Sequence, residues 1–371
     1  MKIYIIFAIF LLVSCQAKPL PYKQPLPLLE KQEEVIKSQH KVALLLPLSG
    51  KHKELGTAML DAAELALFTV GEESLSMLIL DSGEEKEMVR KAVKQAIAKD
   101  VKLIIGPIFS ESTKIAAETI ADKDIKILSF SNNQKEAHGN VFMLGFSPYD
   151  QVRQVIKFAH RSGIENFYLL LQDNEHGKNI HEIIINELED HANISKAEFY
   201  NSSNIANIIT DITEAINSDT NNKALFIAEG GERLEHILEL LEENNLNRNN
   251  LKLLGTGQWD DQKTLNLPLE GGWFATSLTQ ERQDLEQYFF NKYHYHMPRI
   301  ATIAYDAVAL SSRLAQNNNF DANEIRNSRG FLGMDGVFKF EHDSNLVKRN
   351  LSIIEIRNHD FVVIEEPKKN F

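Results

Sequence analysis

The chain has 371 residues, with 52 Asp and Glu against 40 Lys and Arg, a formal net charge of −12. That balance argues against a nucleic-acid partner, because phosphates ask for a basic surface. At 43% hydrophobic and 25% charged the composition is that of a globular protein, too long for one small core and suited to two lobes.

In chain order, Met1-Lys2 gives a positive start and Ile3 to Val13 an apolar run too short to span a bilayer. Small residues follow, so residues 1–14 read as a secretory signal peptide. Cys15 is the chain's one cysteine and has no disulfide partner within it. Leu12-Val13-Ser14-Cys15 resembles the bacterial lipobox. The resemblance implies lipidation at Cys15, and Gln16 rather than Asp after it implies the periplasmic face of the outer membrane. The alternative is a plain signal peptide with a chance cysteine. Residues 15–40 read as a lipidated, proline-rich tether, extended and semi-rigid, with room for a short helix from Leu28 to Ser38.

Beyond it, short apolar runs alternate with amphipathic stretches. The runs are Val42 to Pro47, Ser76 to Asp81, Val101 to Gly106, Ile125 to Phe130, Phe167 to Gln172, Ala224 to Ala228 and Leu251 to Gly255. Glu84 to Asp100 and Pro148 to Gly163 have helical spacing between them. Such alternation predicts βαβ crossovers and parallel sheets, an α/β fold. It ends near Thr276. A helix-rich stretch to about Ala315 follows, then antiparallel strands turning at Asp343-Ser344-Asn345 and Asn358-His359-Asp360. Asn317 to Gly330 and Asn244 to Asn250 read as polar loops. No second apolar run is long enough for a membrane span, so the membrane is met through the lipid anchor alone.

Nucleotide, serine-hydrolase and zinc-protease motifs are missing, which makes an enzyme unexpected; no cofactor is called for. His176 and His181 with Asp173 and Glu175 do not share a helical face, so no metal is expected there and a solvated loop is. The first apolar run leads through Pro47-Leu48-Ser49-Gly50 into a helix containing Gly56. Neither glycine has dinucleotide spacing, and no P-loop lysine is present. A loop at the carboxyl end of a strand, feeding a helix N-terminus, suits a carboxylate or another polar guest; equally, the glycines do no more than shape the turn.

Several segments, taken in order, resemble the type I periplasmic binding proteins, the fold of the branched-chain amino-acid receptors. They are VALLLPLSGKHKELGTAMLDAAELA, LIIGPIFSESTKIAAETI, DIKILSFSNN, VFMLGFSPYDQVRQV, FYLLLQDNEHGK, IATIAYDAVALSSRLA and GMDGVFKFEHDSN, within about Lys41 to Glu366. The resemblance implies two Rossmann-like lobes with parallel sheets joined by three crossings. Lobe 1 would take 41–146 and lobe 2 147–276, with a return to lobe 1 over 277–332 and to lobe 2 over 333–371. Behind a lipobox and a tether, VALLLPLSG is similar to the penicillin-binding-protein activator lipoproteins. That implies a peptidoglycan synthase as partner and its activation as function. The alternative is a substrate-binding receptor of an ABC transporter for amino acids or similar small ligands. For such a ligand the resemblance implies a cleft with Ser49, Gly50, Ser110, Ser129 and Ser131 from lobe 1 and His176 and Glu229 from lobe 2. The plainer reading makes the serines helix caps and His176 and Glu229 exposed loop residues.

Overall fold

The structure, a computed structural model, describes residues 40–189, 192–327 and 329–367. The signal peptide, Cys15, the tether and its helix lie outside the described residues.

The first half alternates strand and helix: β1 His40–Leu46, α1 Lys53–Val70, β2 Leu75–Asp81, α2 Lys86–Ala98, β3 Leu103–Ile105, α3 Ser110–Thr119, β4 Lys126–Ser129 and β5 Val141–Met143. These strands form one parallel sheet in the order β2-β1-β3-β4-β5. There follow α4 Pro148–Arg161, β6 Asn166–Gln172, α5 Glu175–Leu188, β7 Asn193–Tyr200, α6 Ile205–Ser218, β8 Lys223–Ile227, α7 Gly231–Glu243, β9 Leu251–Leu254 and β10 Trp273–Thr276. Next come α8 Gln280–Tyr293, α9 Ala301–Gln316, α10 Ala322–Ile325, β11 Phe331–Gly333, β12 Gly336–Phe340, β13 Val347–Arg349, β14 Ser352–Arg357 and β15 Asp360–Glu365. The second sheet runs β15-β14-β10-β9-β8-β6-β7, in which β14 alone is reversed, pairing antiparallel with both β10 and β15.

Both sheets are covered on two faces, which is why their strands read as continuous apolar runs. In β1, Val42, Leu44 and Leu46 enter one core with Met59 of α1 and Ile303 and Val308 of α9. Ala43 and Leu45 enter another with Val89 and Val93 of α2 and Ile115 of α3. The second sheet repeats the device: Tyr168 and Leu170 of β6 point to one core, Phe167, Leu169 and Leu171 to the other. Each lobe is therefore a three-layer α/β/α unit, the α/β two-lobed fold expected.

Three differences from expectation have physical causes. β7, NISKAEFY, is an edge strand whose residues are mostly half-exposed, so it makes no apolar run. The Asn317–Gly330 stretch contains α10, anchored by fully buried Ile325. The strands from Phe331 to Arg349 form their own three-stranded sheet, and Phe338, Phe340 and Val347 join the first lobe's core. The last passage to lobe 2 is thus at Asn350, between β13 and β14, rather than at 333. The expected turn at Asp343-Ser344-Asn345 links β12 to β13, and Asn358-His359 links β14 to β15.

Candidate functional site

Loops at the carboxyl ends of the parallel strands meet between the lobes: Lys135, after β4, pairs with Glu175, after β6. The β1–α1 loop is fastened by lobe 1 itself. Asp81, at the end of β2, accepts from Leu48 N at 2.8 Å and Gly83 N at 2.8 Å and is bonded by Ser49. Burial pushes its carboxyl up, but these hydrogen bonds, Ser49's foremost, leave it below the usual range. Glu84 accepts from Lys51 N and from His52 N, the latter at 3.2 Å, so the N-terminus of α1 already holds a carboxylate. Gly50 has φ +80°, and a Cβ there would meet the Glu84 side chain at 2.6 Å. Gly56 lets α1 lie against the loop, since its Cβ would fall 2.0 Å from Pro47 O. Ser49 and Gly50 therefore serve the loop, and the anion seat that the sequence offers is filled from within.

The next two loops differ. At α3 no side chain caps the helix N-terminus, and Ser110, its first residue, is half-buried. The Asn133 amide donates to Ser110 Oγ at 2.6 Å, while Asn133 N donates to Ser131 Oγ at 3.1 Å. Asn133 thus brings Ser110 and Ser131 together, a role that its place in a polar loop does not announce. Ser129 is wholly buried; its hydroxyl shares a 2.7 Å hydrogen bond with Thr113 Oγ1 and accepts from Ser131 N at 3.1 Å. It supports the site from behind, a correction to its expected place in the cleft.

In lobe 2, His176 and Glu229 line one hollow of about 220 Å³ with Gln172, Gly177, Ile180, Ala228 and Gln258. The lobe 1 serines are not among its lining residues. His176 stands in the first turn of α5, not in a solvated loop; it is exposed, with its ring 5.9 Å from that of Tyr149. His181 packs edge-on against Phe199 instead. Among the described residues no group of three or more His, Cys, Asp or Glu is placed to hold a metal ion.

Glu229 is buried, contrary to the exposed-loop alternative, and is held from three sides. Tyr200 donates its hydroxyl to Oε1, Arg233 lies 3.8 Å from Oε2, and the Trp259 indole donates to the main-chain carbonyl at 3.0 Å. Burial, and then the Glu229 carboxylate, drive the Tyr200 hydroxyl well above its usual range, so it stays a donor. Helix α7, which follows, has Gly230 before it and no side-chain cap. Between the lobes, Lys135 and Glu175 form an exposed ion pair at 2.6 Å.

A larger hollow of about 1000 Å³ flanks the crossings at Ser147 and Asn350. Its cations are matched to acids: Arg153 with Asp150, Lys157 with Glu187, Arg161 with Glu365 and Lys348 with Glu341. Among the described residues no helix is long and apolar enough to cross a membrane.

Two α/β lobes joined by three crossings define the architecture. The chain belongs to the periplasmic binding protein family, whose model matches residues 39–328. An uncharacterized protein of Rickettsia prowazekii is 22% identical over 97% of this chain and 96% of its own. Among solved structures, a putative branched-chain amino acid ABC transporter protein from Rhodospirillum rubrum has a TM-score of 0.77 at 17% identity, covering 88% of this chain and 99% of that one. An ABC transporter substrate-binding protein from Desulfitobacterium hafniense in complex with Leu has a TM-score of 0.67 at 19% identity, with coverages of 88% and 99%. The fold class is therefore that of the type I periplasmic binding proteins.

Proposed function

We propose that this protein is a non-enzymatic solute receptor that takes a small carboxylate, an amino acid or a similar compound, between its lobes and serves an ABC transporter. The observation that carries this reading is the pairing of chemistries. Lobe 1 offers an uncapped helix N-terminus beside Ser110 and Ser131, where N–H and O–H donors suit a carboxylate. Lobe 2 offers the buried carboxylate of Glu229 at an open hollow, which suits a ligand ammonium. His176 and Gln258 line the same hollow.

The test is thermal unfolding of the full chain with L-leucine, other amino acids, benzoate, short peptides and muropeptides. A ligand present at about 100 times its Kd stabilises by about 2.7 kcal/mol, enough to raise the midpoint by several degrees. A shift with amino acids and none with benzoate shows that the ligand ammonium is required, and loss of that shift in Glu229→Gln assigns it to Glu229. No shift with any compound removes the reading and leaves activation of a peptidoglycan synthase, for which capture of a synthase from the envelope is the test.

The export signal, the lipid on Cys15 and anchoring at the outer membrane belong to this proposal, and either function accommodates them. A receptor tethered by a lipid meets its solute in the periplasm, where the family to which it belongs works.

A further inference from the structure

Asp260 follows the 3₁₀ turn Gly257–Trp259 in the loop between β9 and β10, and so belongs to lobe 2. Its neighbour Trp259 is fully buried in that lobe's core, and Gln258, one residue earlier, lines the hollow beside Glu229. The Asp260 carboxylate, however, is held mostly by lobe 1. Its Oδ2 accepts from Arg282 Nη1 at 2.6 Å and Arg299 Nε at 3.0 Å, and its Oδ1 from Arg282 Nη2 at 2.8 Å. Thr276 Oγ1, at the end of β10, adds a bond at 2.8 Å. Arg282 lies on α8, whose Leu285 and Phe289 join the first lobe's core, and Arg299 stands just before α9. Arg282 also donates to Ser277 O at 2.7 Å and to Glu286 at 2.7 Å, while Arg299 pairs with Asp335 at 2.7 Å. The side chains of Asp260, Arg282 and Asp335 are 3%, 6% and 0% exposed.

A carboxylate of one lobe is thus clamped in a guanidinium fork of the other, around the crossing segment at Ser277. Buried charges are costly unless paired, so separating the lobes must either strip Asp260 of both arginines or admit water to the cluster. Such an interface has discrete arrangements rather than a continuum. We propose that Asp260 is the lock on the hinge: it sets how far the lobes separate, and the turn Gly257–Asp260 ties that setting to the wall of the cleft. The connection to ligand rests on the receptor reading; the lock itself does not.

The experiment is a pulsed electron–electron distance measurement on the full chain carrying Cys15→Ser, with nitroxides at Lys91→Cys on α2 and Glu235→Cys on α7, both exposed. The parent is expected to give one population. Asp260→Asn is expected to add a second, longer one, and Arg299→Gln to do the same to a smaller extent. Asp306→Asn, which alters the adjoining ion pair with Arg349 wholly inside lobe 1, is expected to leave the distances unchanged. Should Asp260→Asn fail to fold by circular dichroism, Arg299→Gln decides, since its side chain is the most exposed of the clamp at 18%. Distributions of folded Asp260→Asn or Arg299→Gln that superimpose on the parent overturn the lock, as does an equal change in Asp306→Asn. If L-leucine and benzoate leave the parent unchanged while Asp260→Asn separates the lobes, the lock stands and it is the receptor reading that loses support.

Discussion

Trp259 donates its indole N–H to the carbonyl of Glu229 at 3.0 Å while its ring lies over Gly255, where a Cβ would sit 2.1 Å away. The core of lobe 2 thereby holds in place the main chain of a residue that lines its small hollow. Trp259→Phe removes the donor and leaves a void beside Gly255. A loss of about 2–4 kcal/mol is expected in urea unfolding, from the missing hydrogen bond and the lost volume together. A loss within about 0.5 kcal/mol would show that water or a shift of the loop replaces the contact.

Gly56 makes a second, sharper prediction. A methyl group there meets the carbonyl of Pro47, a backbone atom that cannot swing aside. Gly56→Ala normally favours a helix, yet here it is expected to cost about 1–3 kcal/mol, with the loss read as a lowered thermal midpoint. A neutral or raised midpoint would mean that α1 and the loop part without penalty.

The pH dependence follows from Asp306, fully buried on α9. Burial pushes its carboxyl from 3.8 up to about 6, against the opposing pull of Arg349. Because the folded value lies above the unfolded one, the folded chain holds the extra proton between about pH 4 and 6. This group's stabilisation is therefore full below about pH 4 and is lost as pH rises to 6, with a slope of at most about 1.4 kcal/mol per pH unit. Asp335 works in the opposite sense: despite burial, Arg299, Arg349 and Arg282 hold it below its usual range, so its contribution disappears at acid pH. Asp306→Asn should flatten the stability profile between pH 4 and 6 in urea titrations. A profile with the parent's slope in that window would assign the proton to another group.

Cys15→Ser should move the protein from the membrane fraction to the soluble fraction of the envelope. Membrane association equal to that of the parent would remove the lipid from the account and leave residues 1–14 as a plain export signal.

What the sequence disclosed depends on how local each cause is. β1 is flanked by strands and covered by helices on both faces, so after His40 and Lys41 its residues Val42 to Leu46 are all apolar and easily read. β7 sits at an edge, and β10 owes its short pairing to strands far along the chain, so neither has a pattern of its own. Within the site, Ser110 and Ser131 stand at recognisable strand ends, but the carboxylates that fill the first loop come from the end of β2 and beyond. The clamp on Asp260 likewise draws Arg282 and Arg299 from separate helical regions. Each is an ordinary charged residue in its own neighbourhood, and only tertiary structure makes it a partner. The fold was legible because apolar periodicity is local; that Ser131 binds Asn133 while Ser129 binds Thr113 was not.

The order of strands also sets when each half of the protein is complete. Lobe 1 needs α9 against α1, and Phe338 and Val347 from its small sheet, while lobe 2 needs Ile354 and Ile356 of β14 beside β10. Both cores are thus finished by residues from the last part of the chain. During synthesis, a nascent segment ending before β11 lacks Phe338 and Val347 for the first core and Ile354 and Ile356 for the second, and the two cores are completed within a few residues of one another. Completion of the two cores is coupled by topology, which keeps the growing polypeptide from settling early into a finished shape.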